Sequence, residues 1–298
     1  MTHVVTLVSS PLRAAVDAEL VRSIAAHLPQ AAEPVWLASQ IAVDLAFAPG
    51  GEIDNRAMAD RLRLELGDSP VDVVVQQATG RRKKLFLADM DSTMIGQECI
   101  DELADFVGMK AHVATITERA MRGEIEFEPA LRERVALLKG LDPSVVDKVI
   151  AERIVLTPGG MELVRTMRAN GAYTALVSGG FTLFTEKVSA MIGFNEHRSN
   201  TLIIKDGKLA GLVGEPILGR EAKLASLESL RAAHGLAHGD TMAVGDGAND
   251  LAMLEAAGVG VAYHAKPAVA AVAHVRIDHA DLTALLYMQG YRRDEFVR

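Results

Sequence analysis

Three polar clusters in the chain each follow a short apolar run. Leu85-Phe86-Leu87-Ala88 ends in Asp89-Met90-Asp91-Ser92-Thr93, the run from Tyr173 to Val177 ends in Ser178-Gly179-Gly180, and Met242-Ala243-Val244 ends in Gly245-Asp246-Gly247-Ala248-Asn249-Asp250. Asp89 and Asp91 stand two residues apart, and Asp246 adds a third carboxylate. A dense carboxylate cluster repels itself unless a cation neutralises it, and hard oxygen ligands suit Mg²⁺ together with phosphate oxygens. The Ser178 hydroxyl and the Gly179 and Gly180 amides can donate hydrogen bonds to an anion, helped by a following helix N-terminus. Lysine serves as a point charge for phosphate; Lys223 is the candidate, with Lys187 and Lys266 behind it. Together these groups describe a site for phosphate, Mg²⁺ and a carboxylate nucleophile. Each motif alone recurs in ordinary turns and helix caps; all three in order, each after an apolar strand, are far harder to obtain by chance.

These clusters can meet only if one sheet carries all three strands in parallel, because parallel strands bring their C-terminal ends to one edge, where ligands bind. From Leu85 onward apolar strands alternate with helices, which predicts an α/β fold with a doubly wound, Rossmann-like parallel sheet. Two segments break the alternation. Glu98 to about Arg153 is helical and largely polar, which predicts a helical cap inserted at about 97–155. Thr201 to Ile217 predicts a hairpin turning at Asp206-Gly207.

The first 80 residues read as a separate α+β module: a strand over 4–8, a helix over 14–28, an extended segment over 35–47, a helix marked by Met58, Leu62 and Leu66, and a strand over 71–75. This order predicts a ferredoxin-like arrangement. The run Arg81-Arg82-Lys83-Lys84 that follows reads as a solvated linker, so the expected division is 1–80 and 81–298.

Composition sets the outer limits. The chain has 298 residues, 49% hydrophobic and 23% charged, which excludes a disordered chain. The net charge of −8 argues against a general nucleic-acid binder. Residues 1–80 hold 5 basic and 10 acidic residues, so most of the excess, −5, lies there. The one cysteine, Cys99, cannot form an internal disulfide, which fits a reducing compartment. No basic segment precedes the first apolar run, and the longest uncharged stretch, Ala169–Thr185, is too short and too rich in glycine to span a bilayer. A cytoplasmic protein with no membrane partner is expected.

The motifs around Asp89, Ser178, Lys223 and Asp246 resemble those of the haloacid dehalogenase-like hydrolases, and within them the phosphoserine phosphatases. The cap adds to the likeness with Glu98, with Met121-Arg122-Gly123-Glu124-Ile125-Glu126-Phe127, and with Leu131-Arg132-Glu133-Arg134-Val135. The likeness runs from about Leu85 to Leu286. It implies a Mg²⁺-dependent hydrolysis of O-phospho-L-serine to L-serine and phosphate, the last step of serine biosynthesis. Asp89 would be the nucleophile that forms an aspartyl-phosphate, and Asp91 would protonate the leaving oxygen and then activate water. Mg²⁺ would be held by Asp89, the Asp91 carbonyl and Asp246, with Asp250 supporting that shell. Ser178, the Gly179 amide, Lys223 and Asn249 would hold the phosphoryl group. Glu98 would meet the substrate ammonium, Arg134 its carboxylate, and Met121 and Phe127 would form the apolar lid. The acid role of Asp91 requires a raised pKa, which burial favours and metal charge opposes.

By element order alone the first 80 residues resemble an ACT-like domain, although Ser9-Ser10-Pro11-Leu12 lacks the Asp and Gly pattern of amino-acid-binding members. The resemblance leaves a homodimer open. Two other readings share these residues: a phosphatase for another small phosphomonoester, and a non-enzymatic phosphoacceptor of the receiver kind. Asp91 argues against the second, since it supplies the acid and base that turnover needs.

Overall fold

The computed structural model describes residues 1–298. The chain opens with β1 (His3–Ser9), α1 (Ala18–Ala25), β2 (Val35–Ala38), β3 (Ala42–Phe47), α2 (Asn55–Leu66) and β4 (Val71–Gln77). The strands form an antiparallel sheet in the order β2-β3-β1-β4, a ferredoxin-like topology. Two elements depart from expectation. The first helix is shorter than 14–28, because the Asp17 carboxylate accepts the Glu19 and Leu20 amides and so caps a helix that begins at Ala18. The extended segment 35–47 is a hairpin, broken where Gln40 takes φ +59.

Strand alternation gives this sheet two different faces. Val5, Leu7, Val43, Leu45, Val73 and Val75 pack beneath α1 and α2. Thr6, Asp44 and Asp72 lie on the other face and are also buried.

The second sheet is built from β5 (Leu85–Ala88), β6 (Tyr173–Phe181), β7 (Glu196–Asn200), β10 (Thr241–Gly245), β11 (Val259–Tyr263) and β12 (Val275–Ile277). Its order is β12-β11-β10-β5-β6-β7, and every pairing is parallel. Between β5 and β6 come the helices α3 (Cys99–Asp105), α4 (Lys110–Met121), α5 (Phe127–Ala136), α6 (Val145–Glu152) and α7 (Gly160–Ala169); α8 (Thr182–Ile192) follows β6. The hairpin β8 (Leu202–Lys205) and β9 (Lys208–Val213) turns at Asp206-Gly207, both at positive φ, as the sequence predicts. The remaining helices are α9 (Arg220–Ala233), α10 (Leu251–Ala256), α11 (Pro267–Ala270) and α12 (Ala284–Tyr287).

Leu85, Leu87, Ala175, Val177 and Ala243 face one side of this sheet with Leu227 of α9 and Met253 of α10, while Phe86, Ala88, Leu176 and Val244 face the other with Leu163 of α7 and Phe184 of α8. The result is the doubly wound α/β sandwich expected. From β5 the chain goes to β6 on one side and later to β10 on the other, so the strand order reverses at β5 and opens a crevice at the strand ends. Helices α3 to α6 leave the sheet and return through one antiparallel stem. There Ile95 bridges Leu156, the Gly96 amide donates to the Val155 carbonyl at 3.0 Å, and the Thr157 amide donates to the Met94 carbonyl at 3.0 Å.

Arg81 is not part of a solvated linker. Its guanidinium donates to both Asp44 oxygens (2.6 and 3.0 Å), to Thr6 Oγ1 (3.0 Å) and to the carbonyls of Tyr287 and Met288 (3.3 and 3.0 Å), so it joins the antiparallel sheet to α12. Asp72 makes a second joint, accepting the amides of Asp278, His279 and Ala280 at 2.8–3.1 Å. Removing one partner of a mostly buried ion pair strands the other charge. Arg81→Met is expected to lower the unfolding free energy by about 3 kcal/mol, read from the urea midpoint, and adding Asp44→Leu should recover part of that loss. An unchanged midpoint would show that the clamp carries no stability.

Candidate active site

The crevice gathers the three motif ends. Ala88 pairs with Leu176 on one side and with Val244 on the other, so Asp89, Ser178 and Asp246 emerge at nearly the same level. After Asp89 the backbone turns tightly, with Ser92 at φ +55. Ser178 is not in a loop: β6 continues through Ser178-Gly179-Gly180 to Phe181, with a register shift against β7 after Val177. Its hydroxyl accepts the Gly180 amide at 2.9 Å.

Lys223, at 0% exposure, comes up from α9 with Nζ 2.7 Å from Asp89 Oδ1 and 2.6 Å from Asp250 Oδ1. Asp250 in turn accepts the Asp246 and Gly247 amides through Oδ2, each at 3.1 Å. This packing requires Gly245, because a Cβ there would strike the Asp250 carboxylate. The Lys187 and Lys266 ammonium groups pair with Asp147 and Glu118 respectively, although the Lys266 amide donates to the Asp246 carbonyl at 2.9 Å.

The helical insertion covers the crevice and leaves a partly open pocket between the cap and the strand ends. Of the twelve residues to which the resemblance assigns roles, nine line it: Asp89, Asp91, Glu98, Met121, Phe127, Arg134, Ser178, Gly179 and Asn249. Lys223, Asp246 and Asp250 lie behind Asp89. Phe127 seats its ring against Gly179, where a Cβ would come within 2.8 Å.

Arg134 is 2% exposed; Nε donates to the Ala130 carbonyl and Nη1 to Thr117 Oγ1, which leaves three of its five N–H donors without a protein partner. Glu98 accepts one hydrogen bond, from Ser92 Oγ at 2.7 Å, and no protein cation reaches it. Asn249 Oδ1 is buried without a partner. The pocket wall therefore carries a carboxyl and a guanidinium with no direct ion-pair partner, and an unsatisfied amide.

A profile of the haloacid dehalogenase-like hydrolases matches residues 86–255, more than half of the chain. The chain belongs to the haloacid dehalogenase-like hydrolases. A phosphoserine phosphatase from Streptomyces coelicolor is 40% identical over 297 residues, covering 98% of this chain and 71% of that protein. A solved structure described as a phospho-aspartyl intermediate analogue of phosphoserine phosphatase superposes with a TM-score of 0.66 at 41% identity, over 69% of this chain and 98% of that one. A family hydrolase from Salmonella enterica serovar Typhi superposes over 96% of this chain and 98% of its own with a TM-score of 0.84 at 28% identity.

In this haloacid dehalogenase-like hydrolase, charge and burial set the protonation of the site. Burial, then the neighbouring Asp250, push Asp246 up to about 7. Burial and Asp250 also push Asp89 up, against the pull of Lys223. Burial alone would strip Lys223 of its proton, but Asp250 and Asp89 hold it on. Burial wins at Asp91 and raises it, although the Cys99 side chain and amide pull the other way. Glu98 is pushed up by burial and by the nearby Asp91 and Asp246.

Oxygens of Asp89, Asp246 and Asp250 all lie within 4.8 Å of one another, with Lys223 as the one ammonium bonded among them. This excess of buried negative charge fits a divalent cation. Lys223 and two amides already engage both Asp250 oxygens, so Asp89 and Asp246 carry the open carboxylate positions.

Several supports had no signal in the sequence. The Cys99 amide holds Asp91 Oδ1 at 3.1 Å, Thr93 Oγ1 donates to Asp246 at 3.2 Å, and Thr117 receives Arg134. Only a backbone trace could have found the first.

Asp246 keeps its proton up to about pH 7 when folded and releases it near 3.8 when unfolded. The folded chain therefore binds more protons in that window, and without a cation this group makes stability fall as pH rises from about 4 to 7. A divalent cation bound there would take the place of those protons. Millimolar Mg²⁺ is thus expected to raise the unfolding temperature more at pH 8 than at pH 5, as read by calorimetry. Equal shifts at both values would contradict the assignment.

Proposed function

We propose that the chain hydrolyses O-phospho-L-serine to L-serine and phosphate through an aspartyl-phosphate on Asp89. One observation carries the substrate: the Glu98 carboxyl and the Arg134 guanidinium, neither in a direct ion pair, face the same pocket as Asp89 and Ser178. A phosphomonoester with an ammonium and a carboxylate at its far end satisfies all of them. The resemblance of the relatives, named as phosphoserine phosphatases, supports the same choice.

Asp89 Oδ1 is held by Lys223 and by the Met90 amide at 2.8 Å, which leaves Oδ2 as the attacking oxygen. As the P–O bond to serine breaks, Asp91 delivers its proton to the leaving oxygen; burial keeps that proton available. Asp91, then a carboxylate, takes a proton from water as water attacks the phosphorus of the aspartyl-phosphate, and Asp89 is released. Lys223 has one N–H beyond those spent on Asp89 and Asp250. That N–H, the Ser178 hydroxyl, the Gly179 amide and Asn249 bind the phosphoryl oxygens. Asp89, the Asp91 carbonyl and Asp246 would hold Mg²⁺, which supplies charge neutralisation at the phosphoryl group. Asp250 keeps Lys223 and the Asp246 backbone in place. Met121 and Phe127 line the pocket with apolar surface and limit water beside the reacting atoms.

This reading treats residues 1–80 as a separate ACT-like unit and 97–155 as a lid over the 81–298 core. A cytoplasmic location agrees with an intermediary-metabolism substrate, and no helix is long and apolar enough to cross a membrane.

Phosphate release from L-phosphoserine with and without Mg²⁺ is the primary test. Asp89→Asn should cut kcat at least about 10³-fold with the fold intact. Arg134→Ala should cut kcat/KM for phosphoserine about 10- to 100-fold and barely change it for phosphoethanolamine, which lacks the carboxylate. Phosphoserine turned over no better than sugar phosphates would sink the substrate assignment.

A further inference from the structure

The packing faces of α4 and α5 are apolar except at one residue each. Buried positions on α4 are Val113, Ile116, Thr117, Ala120 and Met121, and those on α5 are Ala130, Leu131, Arg134 and Val135. The two polar exceptions meet: Arg134 Nη1 donates to Thr117 Oγ1 at 2.9 Å. Thr117 is 2% exposed. Its hydroxyl has a single proton, so it can accept from Arg134 only with that proton turned elsewhere. Asp101 Oδ1, on α3, lies 2.7 Å away and takes it; the Val113 carbonyl, at 3.1 Å, is the longer alternative.

We infer that Thr117 and Asp101 form a positioning relay that aims Arg134 at the substrate carboxylate. Asp101 fixes the direction of the Thr117 hydroxyl, the hydroxyl lone pair holds Nη1, and the Ala130 carbonyl holds Nε at 3.0 Å. Two fixed points on a planar guanidinium leave its remaining donors with one orientation, toward the cavity. Neither Thr117 nor Asp101 lines that cavity. Unlike a direct ion pair, the relay leaves Arg134 without a carboxylate partner of its own. An aspartate at hydrogen-bond distance would compete with the substrate, whereas a hydroxyl orients the guanidinium without neutralising it. Placing Asp101 one hydroxyl further back separates orientation from charge pairing.

The inference rests on Arg134 as the carboxylate anchor and is tested so that the two can fail separately. Thr117→Val keeps shape and removes the hydroxyl; Thr117→Ser keeps the hydroxyl. Thr117→Val is expected to raise KM for phosphoserine about tenfold with kcat nearly unchanged, to leave kcat/KM for phosphoethanolamine within about twofold, and to be rescued by Thr117→Ser. Added to Arg134→Ala, Thr117→Val should cost nothing further with either substrate. Equal losses on both substrates, or a full extra loss in the Arg134→Ala background, would show that Thr117 only packs the cap, and wild-type KM in Thr117→Val would remove the relay altogether. Arg134→Ala failing to discriminate between the two substrates would instead overturn the anchor itself, whatever Thr117→Val does.

Discussion

A fully buried ammonium holds the strand ends of this enzyme together. Lys223 reaches from α9 beneath the crevice and bonds Asp89 at the end of β5 and Asp250 beyond β10. Through Asp250 its influence extends to the Asp246 and Gly247 amides, so one charge orders both acidic segments. Without it, carboxylate oxygens packed within 4.8 Å and shielded from water would have no protein charge to balance them. The same constraint explains Gly245, whose missing side chain lets Asp250 close against the strand. Burial favours neutral groups and the cluster keeps Lys223 charged, so the ammonium belongs to the structure as much as to the chemistry.

The opposite end of the cavity follows a different rule. Around Lys223 the protein pairs its charges in direct contact, whereas Glu98 and Arg134 have hydrogen-bonding neighbours that orient them and no direct ion-pair partner. Ser92 steadies Glu98, and Ala130 and Thr117 steady Arg134. Buried ionisable groups without a direct partner cost stability, and such a cost persists where function needs it. The two ends also belong to different layers. The sheet holds the phosphoryl end rigidly on three strands, and the inserted helices hold the other end across a single two-stranded stem at Ile95 and Leu156. In the proposed reaction the groups that would bind any phosphate ester thus sit on the sheet, and those that would discriminate between esters sit on the inserted helices.

What the sequence revealed and what it hid divide along physical lines. Asp89, Asp91, Ser178 and Asp246 were legible because each cluster directly follows an apolar strand, and parallel strands sharing one sheet must bring such ends to a common edge. The helical insertion was legible as a break in the alternation. The continuation of β6 through Ser178-Gly179-Gly180 was not, since two glycines ordinarily mark a turn; here they permit close approach, and Gly179 receives the Phe127 ring. The Cys99 amide on Asp91 has no side-chain signature at all. Thr117 reads as any helical threonine until α3 and α5 are placed around it. Arg81 misled for the opposite reason: in a run of four basic residues it looks solvated, and only the fold reveals the buried Asp44 that receives it.

That last contact also defines how the N-terminal sheet meets the rest of the chain. A sheet buried on both faces is usually apolar on both, yet the face turned toward the parallel core sets Thr6, Asp44 and Asp72 among Val8, Ala42 and Val74. Apolar faces can slide over one another at little cost, whereas these groups cannot. Asp44 needs the Arg81 fork, and Asp72 needs three consecutive amides at Asp278–Ala280, so a shift of a few ångströms would leave buried carboxylates unpaired. Those amides follow β12, two strands from β10 and its Asp246. At the end of β11, the Lys266 amide donates to the Asp246 carbonyl at 2.9 Å. The N-terminal sheet is therefore fastened to the edge of the same layer that carries the acidic cluster, with the strand pairings β12 to β11 to β10 running from Asp72 to the strand end that holds Asp246.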